Sequence, residues 1–296
     1  MTASRELVLE IGTEEIPARF IPQALEDMRG LMEKLLADHR IPHGKITPLG
    51  TLRRLVLRVE DVAERQQAVA KKVLGPPVRV SFDQQGRPTK AALSFAEKQG
   101  MAVEELRREG TEKGEYLCAV KEKAWADTAS LLARLLPELI VSVPFPRSMR
   151  WSTLDIRFVR PIRWILALFG SDVIRFSLDG IPSGNVTYGH RFMSPGPVVV
   201  RDAGDYLPAM SERYVIVDCE ERLQAVRRAV AEAARNGGQA VIDDALLGEV
   251  TNMVEYPFAT CGRFTPAYLS LPREVLVSAM GKHQRYFPVQ DSEGKL

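Results

Sequence analysis

The chain has 296 residues, 45% of them apolar, and 40 basic side chains against 38 acidic ones give a formal charge of +2. Such a chain can bury a substantial core in about two domains, and a charge so near zero excludes a strongly basic nucleic-acid-binding domain, leaving only local patches for that role. No apolar run approaches the ~20 residues that span a bilayer, and Met1 to Glu6 lacks the apolar stretch of a secretory signal, so a soluble, cytoplasmic protein without a membrane partner is expected.

The first element is Leu7-Val8-Leu9-Glu10-Ile11, where four apolar residues in five describe a strand, and Gly12 permits a turn. Thr13 or Glu14 can then cap a helix with Pro17 in its first turn, which gives Glu14 and Glu15 a structural place at the positive end of the helix dipole. A general acid/base pair is the alternative, against which adjacent side chains on a turn point apart. From Pro17 to Asp38 the stripe Ile21, Leu25, Met28, Met32 and Leu35, widened by Leu31 and Leu36, predicts a helix on a sheet whose other strand is Leu55 to Val62. This small α+β unit is assigned to residues 1–64.

Residues 65–146 carry strand signals at Val78 to Phe82 and Tyr116 to Val120. Between them lie two short helical stretches, Lys90 to Gln99 and Val103 to Arg108, stopped by Gly100 and Gly110. A third helix follows on the stripe Leu131, Leu132, Leu135, Leu136, Leu139 and Ile140, with Pro137 expected to kink or interrupt it, and Pro144 and Pro146 mark a boundary loop. Residues 147–296 form the last segment, with strands at Ile162 to Phe169, Val173 to Leu178 and Val198 to Val200. One helix is capped by Asp218 with Glu221, lined by Leu223, Val226, Val230 and Ala233, and ended by Asn236-Gly237-Gly238; another runs from about Asp244 to Glu255. Helices and strands without regular βαβ alternation predict an α+β fold.

The stretch from Arg147 to Trp164 holds five arginines against one acid, Asp155, with Trp151, Phe158 and Trp164 interleaved. Guanidinium groups pair bidentately with phosphate and aromatic rings stack on unpaired bases, so Arg147, Arg150, Trp151, Arg160 and Arg163 are the candidate RNA contacts. Equally, these arginines could pair with carboxylates elsewhere while the aromatics fill the core. His190-Arg191 and His283 with Arg285 each set a histidine beside a cation, which suits a general base, a phosphate contact or a hydrogen-bonded structural histidine. His39 and His43 are spaced like helical metal ligands, but Pro42 intervenes and no metal site is expected. Cys118, Cys219 and Cys261 lack CxxC spacing and read as buried free thiols. No GxGxxG, GxxxxGK[ST] or GxSxG motif is present, and no catalytic residue is assigned.

The opening Leu7 to Pro17, taken with Leu52-Arg53-Arg54-Leu55, Pro88-Thr89-Lys90-Ala91-Ala92, Lys113-Gly114-Glu115-Tyr116, Ser148-Met149-Arg150-Trp151, Phe158 to Trp164, Gly189 to Met193, Glu255-Tyr256-Pro257 and His283 to Val289, resembles the β subunit of bacterial heterotetrameric glycyl-tRNA synthetase along the whole chain. Two positions depart from that pattern: Leu74, where a basic residue is expected before Gly75-Pro76, and Ser152, where a glycine commonly follows the tryptophan. The resemblance implies an α2β2 ligase in which the α subunit uses ATP and Mg2+ to make glycyl-adenylate. The β subunit binds and positions glycine tRNA, with no cofactor bound by this chain. It also implies an N-terminal portion, since β subunits of the family continue into a helical HD-type domain and an anticodon-binding domain. No HIGH-like, KMSKS-like or class II signature occurs. Glu249-Val250-Thr251-Asn252-Met253-Val254 additionally resembles the editing-domain fold of the phenylalanyl-tRNA synthetase β subunit. That likeness implies either hydrolysis of mischarged tRNA, with His190 or His283 placing a water in a pocket with Arg191 and Arg285, or a domain retained for docking.

Overall fold

The structure, a computed structural model, describes residues 3–67, 69–83, 85–111, 114–123, 126–153, 155–235 and 237–296. Lys113 of the Lys-Gly-Glu-Tyr block and Asn236 of the helix stop lie outside the described residues. Two compact units result: residues up to Glu64 together with Thr128–Leu296, and Arg65–Asp127.

The first unit is built on β1 (Ser4–Thr13), with α1 (Ile21–Asp38), β2 (Ile46–Thr51) and β3 (Arg54–Ala63) following. The second unit then contributes β4 (Val69–Pro77), α2 (Val78–Ser81), α3 (Lys90–Gln99), β5 (Arg107–Thr111) and β6 (Gly114–Lys123). The chain returns to the first unit through α4 (Thr128–Ser142), the hairpin β7 (Met149–Arg150) and β8 (Arg157–Phe158), and the long β9 (Ile162–Phe169). After it come β10 (Asp172–Val173), β11 (Ser177–Leu178), β12 (Ile181–Gly184), β13 (Val186–Tyr188), β14 (Pro197–Val199), α5 (Tyr206–Ser211), α6 (Cys219–Ala234), β15 (Gln239–Ala240), α7 (Asp244–Thr251), α8 (Arg273–Ser278) and β16 (Val289–Gln290).

The main sheet has the order β11-β12-β9-β1-β3-β2, with β10 also on β9. β1 is therefore central, antiparallel to β3 through Leu9↔Leu57 and to β9 through Leu9↔Ala167. Leu7, Val8, Leu9, Glu10 and Ile11 are all fully buried, which explains why the run is nearly all apolar instead of alternating. On one face Val8, Val56, Leu166 and Leu168 pack with Val200, Tyr206, Met210, Val215 and Val217. Alternation turns Leu7, Leu9 and Ile11 to the other face, and α1 lies against β2, β3 and α4. Because β9 completes the sheet that β1 begins, the N-terminal strands and the C-terminal half share one core, and the three consecutive segments read from the sequence become one unit interrupted by an insertion. The mixed, mostly antiparallel architecture is α+β.

Several elements differ from their sequence reading for local reasons. Thr13 and Glu14 cap no helix: the chain makes a 3-10 turn at Ala18–Phe20 behind Pro17, and α1 starts only at Ile21. Val78–Ser81 is a helical turn, not a strand, because Pro77 leads into it and Ser81 Oγ donates to the Pro77 carbonyl at 2.8 Å. Val103–Glu105 is a single 3-10 turn, with Glu105 accepting from the Ala102 amide, and Arg107–Thr111 is a strand on β6. α4 runs through Pro137. The strand read over Val173 to Leu178 is two short ones, and the helix read to Glu255 ends at Thr251.

In the second unit β4-β6-β5 form an antiparallel sheet with α3 against β4 and β6. Gly75 is required there, since a Cβ would lie 2.5 Å from the Phe95 ring. Ser152, at the position where glycine was expected, has φ +55°, the left-handed conformation that glycine adopts without strain.

Gly12 is the tightest approach in the first unit: a Cβ there would sit 1.9 Å from Cε2 and 2.1 Å from Cδ2 of Trp164. The expected result of Gly12→Ala is a displaced indole and a loss of about 1–3 kcal/mol, read as a lower urea midpoint with a shifted tryptophan emission.

Candidate nucleic-acid interface

Beneath the candidate surface lies a buried ionic group. Arg54, the first residue of β3, is 0% exposed, as is Glu10 in the middle of β1, while Glu255 beyond α7 is 3% exposed. Arg54 Nε donates to Glu255 Oε1 at 2.9 Å, and its Nη1 donates to Glu10 Oε1 at 3.1 Å and to the Tyr188 carbonyl at 2.9 Å. Thr51 Oγ1 donates to the same Glu255 oxygen at 2.7 Å. Burial alone lowers the Arg54 pKa, but Glu255 and Glu10 outweigh it and hold the guanidinium above its ordinary value. Burial raises the Glu10 carboxyl above its ordinary value, with Arg54 opposing it, and burial likewise raises the Tyr206 hydroxyl.

Trp164 covers this group. The Arg54 guanidinium lies 5.6 Å and that of Arg53 5.8 Å from the indole centroid, and the Tyr188 ring packs against it, tilted by 60°, at 4.9 Å between centroids. Arg53 is held below its ordinary pKa, first by burial and then by Arg54 and Arg191, with Glu255 opposing.

Above Trp164, the turn after β1 is pinned by three backbone bonds: Thr13 N to Arg53 O at 2.8 Å, Glu14 N to Pro161 O at 3.1 Å, and Ile16 N to Leu52 O at 2.6 Å. This fixes Glu14 and Glu15 next to the arginines of two distant segments. Glu14 pairs with Arg163 and with Arg191, each at 3.5 Å; Glu15 pairs with Arg191 at 3.2 Å, and its carbonyl accepts from Arg160 Nε at 2.8 Å. Arg160, Arg163 and Arg191 are thus brought together, although the last comes from a different motif than the first two.

The remaining candidates separate. Arg147 and Arg150 are exposed and, among the described residues, have no carboxylate partner. Trp151 is half-buried, its Nε1 donating to the Phe158 carbonyl at 3.0 Å, which ties it to the β7–β8 hairpin. His190 Nδ1 accepts from the amides of Phe192 at 3.3 Å and Met193 at 3.2 Å, so the proton sits on Nε2 and the ring organises its own loop. His283 and Arg285 line a separate, largely apolar cavity of about 850 Å3 between α6 and the C-terminal segment; His190 and Arg191 are not among its lining residues. Arg285, with φ +59°, pairs with Glu249 at 2.8 Å. The four residues proposed for one editing-like pocket therefore occupy two places. Among the described residues no cluster of three His, Cys, Asp or Glu could hold a metal, and no helix is long and apolar enough to cross a membrane.

What the arrangement offers chemically is a cationic, partly neutralised surface over a rigid ionic base, with neither a metal cluster nor a paired nucleophile and base. The model of a protein family described as glycyl-tRNA synthetase beta subunit matches residues 7–296. The chain belongs to that family. Among curated relatives, the glycine–tRNA ligase beta subunit of Syntrophus aciditrophicus (strain SB) is 49% identical over 99% of this chain and 43% of its own length. That of Moorella thermoacetica is 46% identical over 99% of this chain and 42% of its own length. The corresponding protein of Geobacter sp. (strain M21) is 47% identical over 99% of this chain and 43% of its own. This member of the glycyl-tRNA synthetase beta subunit family thus spans less than half the length of these relatives.

Glu10, Arg54, Glu255 and Arg53 were not picked out as a group from the sequence. The available signal was Glu10, a lone charge inside a run that reads as a buried strand, which demands a partner. Removing Arg54 leaves two buried carboxylates uncompensated, so Arg54→Met is expected to cost about 3–5 kcal/mol in chemical denaturation. Because folding raises the Glu10 pKa above 4.5, its contribution is fully present below pH 4.5 and is lost as pH rises through the folded value. Wild-type stability should therefore fall relative to Glu10→Gln as pH climbs from 4.5, and parallel pH–stability curves would contradict this.

Proposed function

We propose that this chain provides a tRNA-binding and tRNA-positioning part of a glycine–tRNA ligase beta subunit, acting with an α catalytic subunit in an α2β2 assembly in the cytoplasm. The α subunit would use ATP and Mg2+ to activate glycine, and this chain would hold glycine tRNA relative to that site without touching the reacting atoms. Family membership supports the reading, and the observation that carries it is the pair of exposed, carboxylate-free guanidinium groups of Arg147 and Arg150 on the segment that also holds the anchored Trp151. Arg163 has a long, exposed ion pair with Glu14 that phosphate can replace at little cost.

A second reading, hydrolytic editing of mischarged tRNA by an editing-domain-like fold, is favoured only by the cavity that His283 and Arg285 line. Its lining is dominated by Val226, Val230, Phe258, Phe264 and Met280 and carries no nucleophile paired with a base. Hydrolysis of alanyl-tRNA by the chain would establish that reading in place of a docking role.

Reversing charge at Arg147 and Arg150 together is expected to weaken tRNA binding and to reduce the slope of log affinity against log salt by about 2, the value for two lost phosphate contacts. An unchanged slope and affinity would refute the assignment of these arginines.

A further inference from the structure

The loop between β13 and β14 presents an aromatic ring that the fold does not use. Phe192 is 82% exposed, and among the described residues its aromatic neighbour is His190, with ring centroids 6.2 Å apart. The backbone beneath it is held firmly all the same. Tyr188 pairs with Pro197, the His190 amide donates to Arg213 O, and Ser194 N returns to His190 O. His190 Nδ1 receives the Phe192 and Met193 amides. Gly189 is fixed by its surroundings, since a Cβ there would come within 2.5 Å of the Ser194 carbonyl oxygen.

The residue before Phe192 is a cation. Arg191 is adjacent in sequence and reaches Glu14 and Glu15, where Arg163 and Arg160 also converge. Four guanidinium groups, those of Arg53, Arg160, Arg163 and Arg191, stand near two carboxylates, and the ion pairs of Arg163 and Arg191 are 3.2–3.5 Å long on half-exposed side chains. Contacts of that length and exposure exchange readily for a stronger anion. An apolar protein partner would require neighbours depleted in charge. A solvent-facing aromatic ring on a hydrogen-bonded loop, next in sequence to an arginine whose ion pairs are exchangeable, matches a nucleotide whose base is not paired, with its π-face on the ring and its phosphate on the guanidinium groups.

We propose that Phe192 is a stacking platform for an unpaired nucleotide of the bound RNA, with Arg191 and Arg163 taking its phosphate from the charge pairs with Glu14 and Glu15. This rests on the RNA-binding reading above and adds to it a site and a ligand class. The test uses the 296-residue chain and two RNA hairpins, one blunt and one with a single-stranded tail carrying a fluorescent purine analogue. Wild type should prefer the tailed hairpin and quench the analogue. Phe192→Ala, whose exposed side chain leaves the denaturation midpoint unchanged, should lose the quenching and bind the tailed hairpin roughly tenfold more weakly, with blunt-hairpin affinity unaltered; Phe192→Trp should retain both. Quenching and tail preference that survive in Phe192→Ala overturn the platform while RNA binding stands, as does an equal loss on both hairpins. Absence of binding to either hairpin by wild type overturns the platform together with the RNA-binding reading.

Discussion

The two-carboxylate embrace of Arg54 is the constraint on which the first unit depends. A guanidinium with no exposure can exist only if its charge is balanced where it stands, and the balancing groups come from β1 and from the segment after α7. One cation therefore ties Glu10, near the start of the sequence, to Glu255 in its last sixth. Directionality matters as much as charge: Thr51 and the Tyr188 carbonyl occupy further positions around the same guanidinium and carboxylate, and since Arg54 Nη2 and Glu10 Oε2 are already buried without a hydrogen-bond partner, a shift of any one strand would add to the unmatched polar atoms. Trp164 closes the site from above, and Gly12 exists to make room for it.

Much of the local structure was legible because it follows from periodicity. The apolar run at Leu7–Ile11, the stripe of α1 and the cap at Asp218, which accepts from the Glu220 and Glu221 amides, each carry their structure within a few residues. The misreadings have a local cause in one place and a tertiary one in others. Val78–Ser81 has β-branched residues, yet the proline before it sets a helical turn. Arg107–Thr111 looks helical or irregular alone and becomes a strand because β6 is alongside. The pairing of β1 with β9 could not be read from either strand, since both are plain apolar runs with no signal of register between them.

The surface was legible in composition but not in arrangement. The interleaved arginines and aromatics between Arg147 and Trp164 mark a basic stretch, but Trp164 turns inward and Trp151 is tied down, so the aromatic that faces solvent comes from elsewhere, at Phe192. In the sequence Glu14 and Glu15 read as acids at the positive end of a helix dipole or as an acid/base pair. They are instead the counterions of Arg163 and Arg191, and they lower the cost of assembling four guanidinium groups on one surface without burying any of the outer ones. Acidic residues here help to build a cationic surface.

The central position of β1 also bears on synthesis. A ribosome releases the N-terminal strand first, but its partner β9 emerges only after the whole insertion has left the exit tunnel. The insertion enters and leaves through an antiparallel bridge between Arg65 and Asp127, so its sheet can close on itself while Leu7–Ile11 has only β3 for cover. During that interval one edge of this buried, apolar strand is open to pairing with another nascent chain. The order of synthesis thus leaves β1 with one edge unpaired until residue 169 is made.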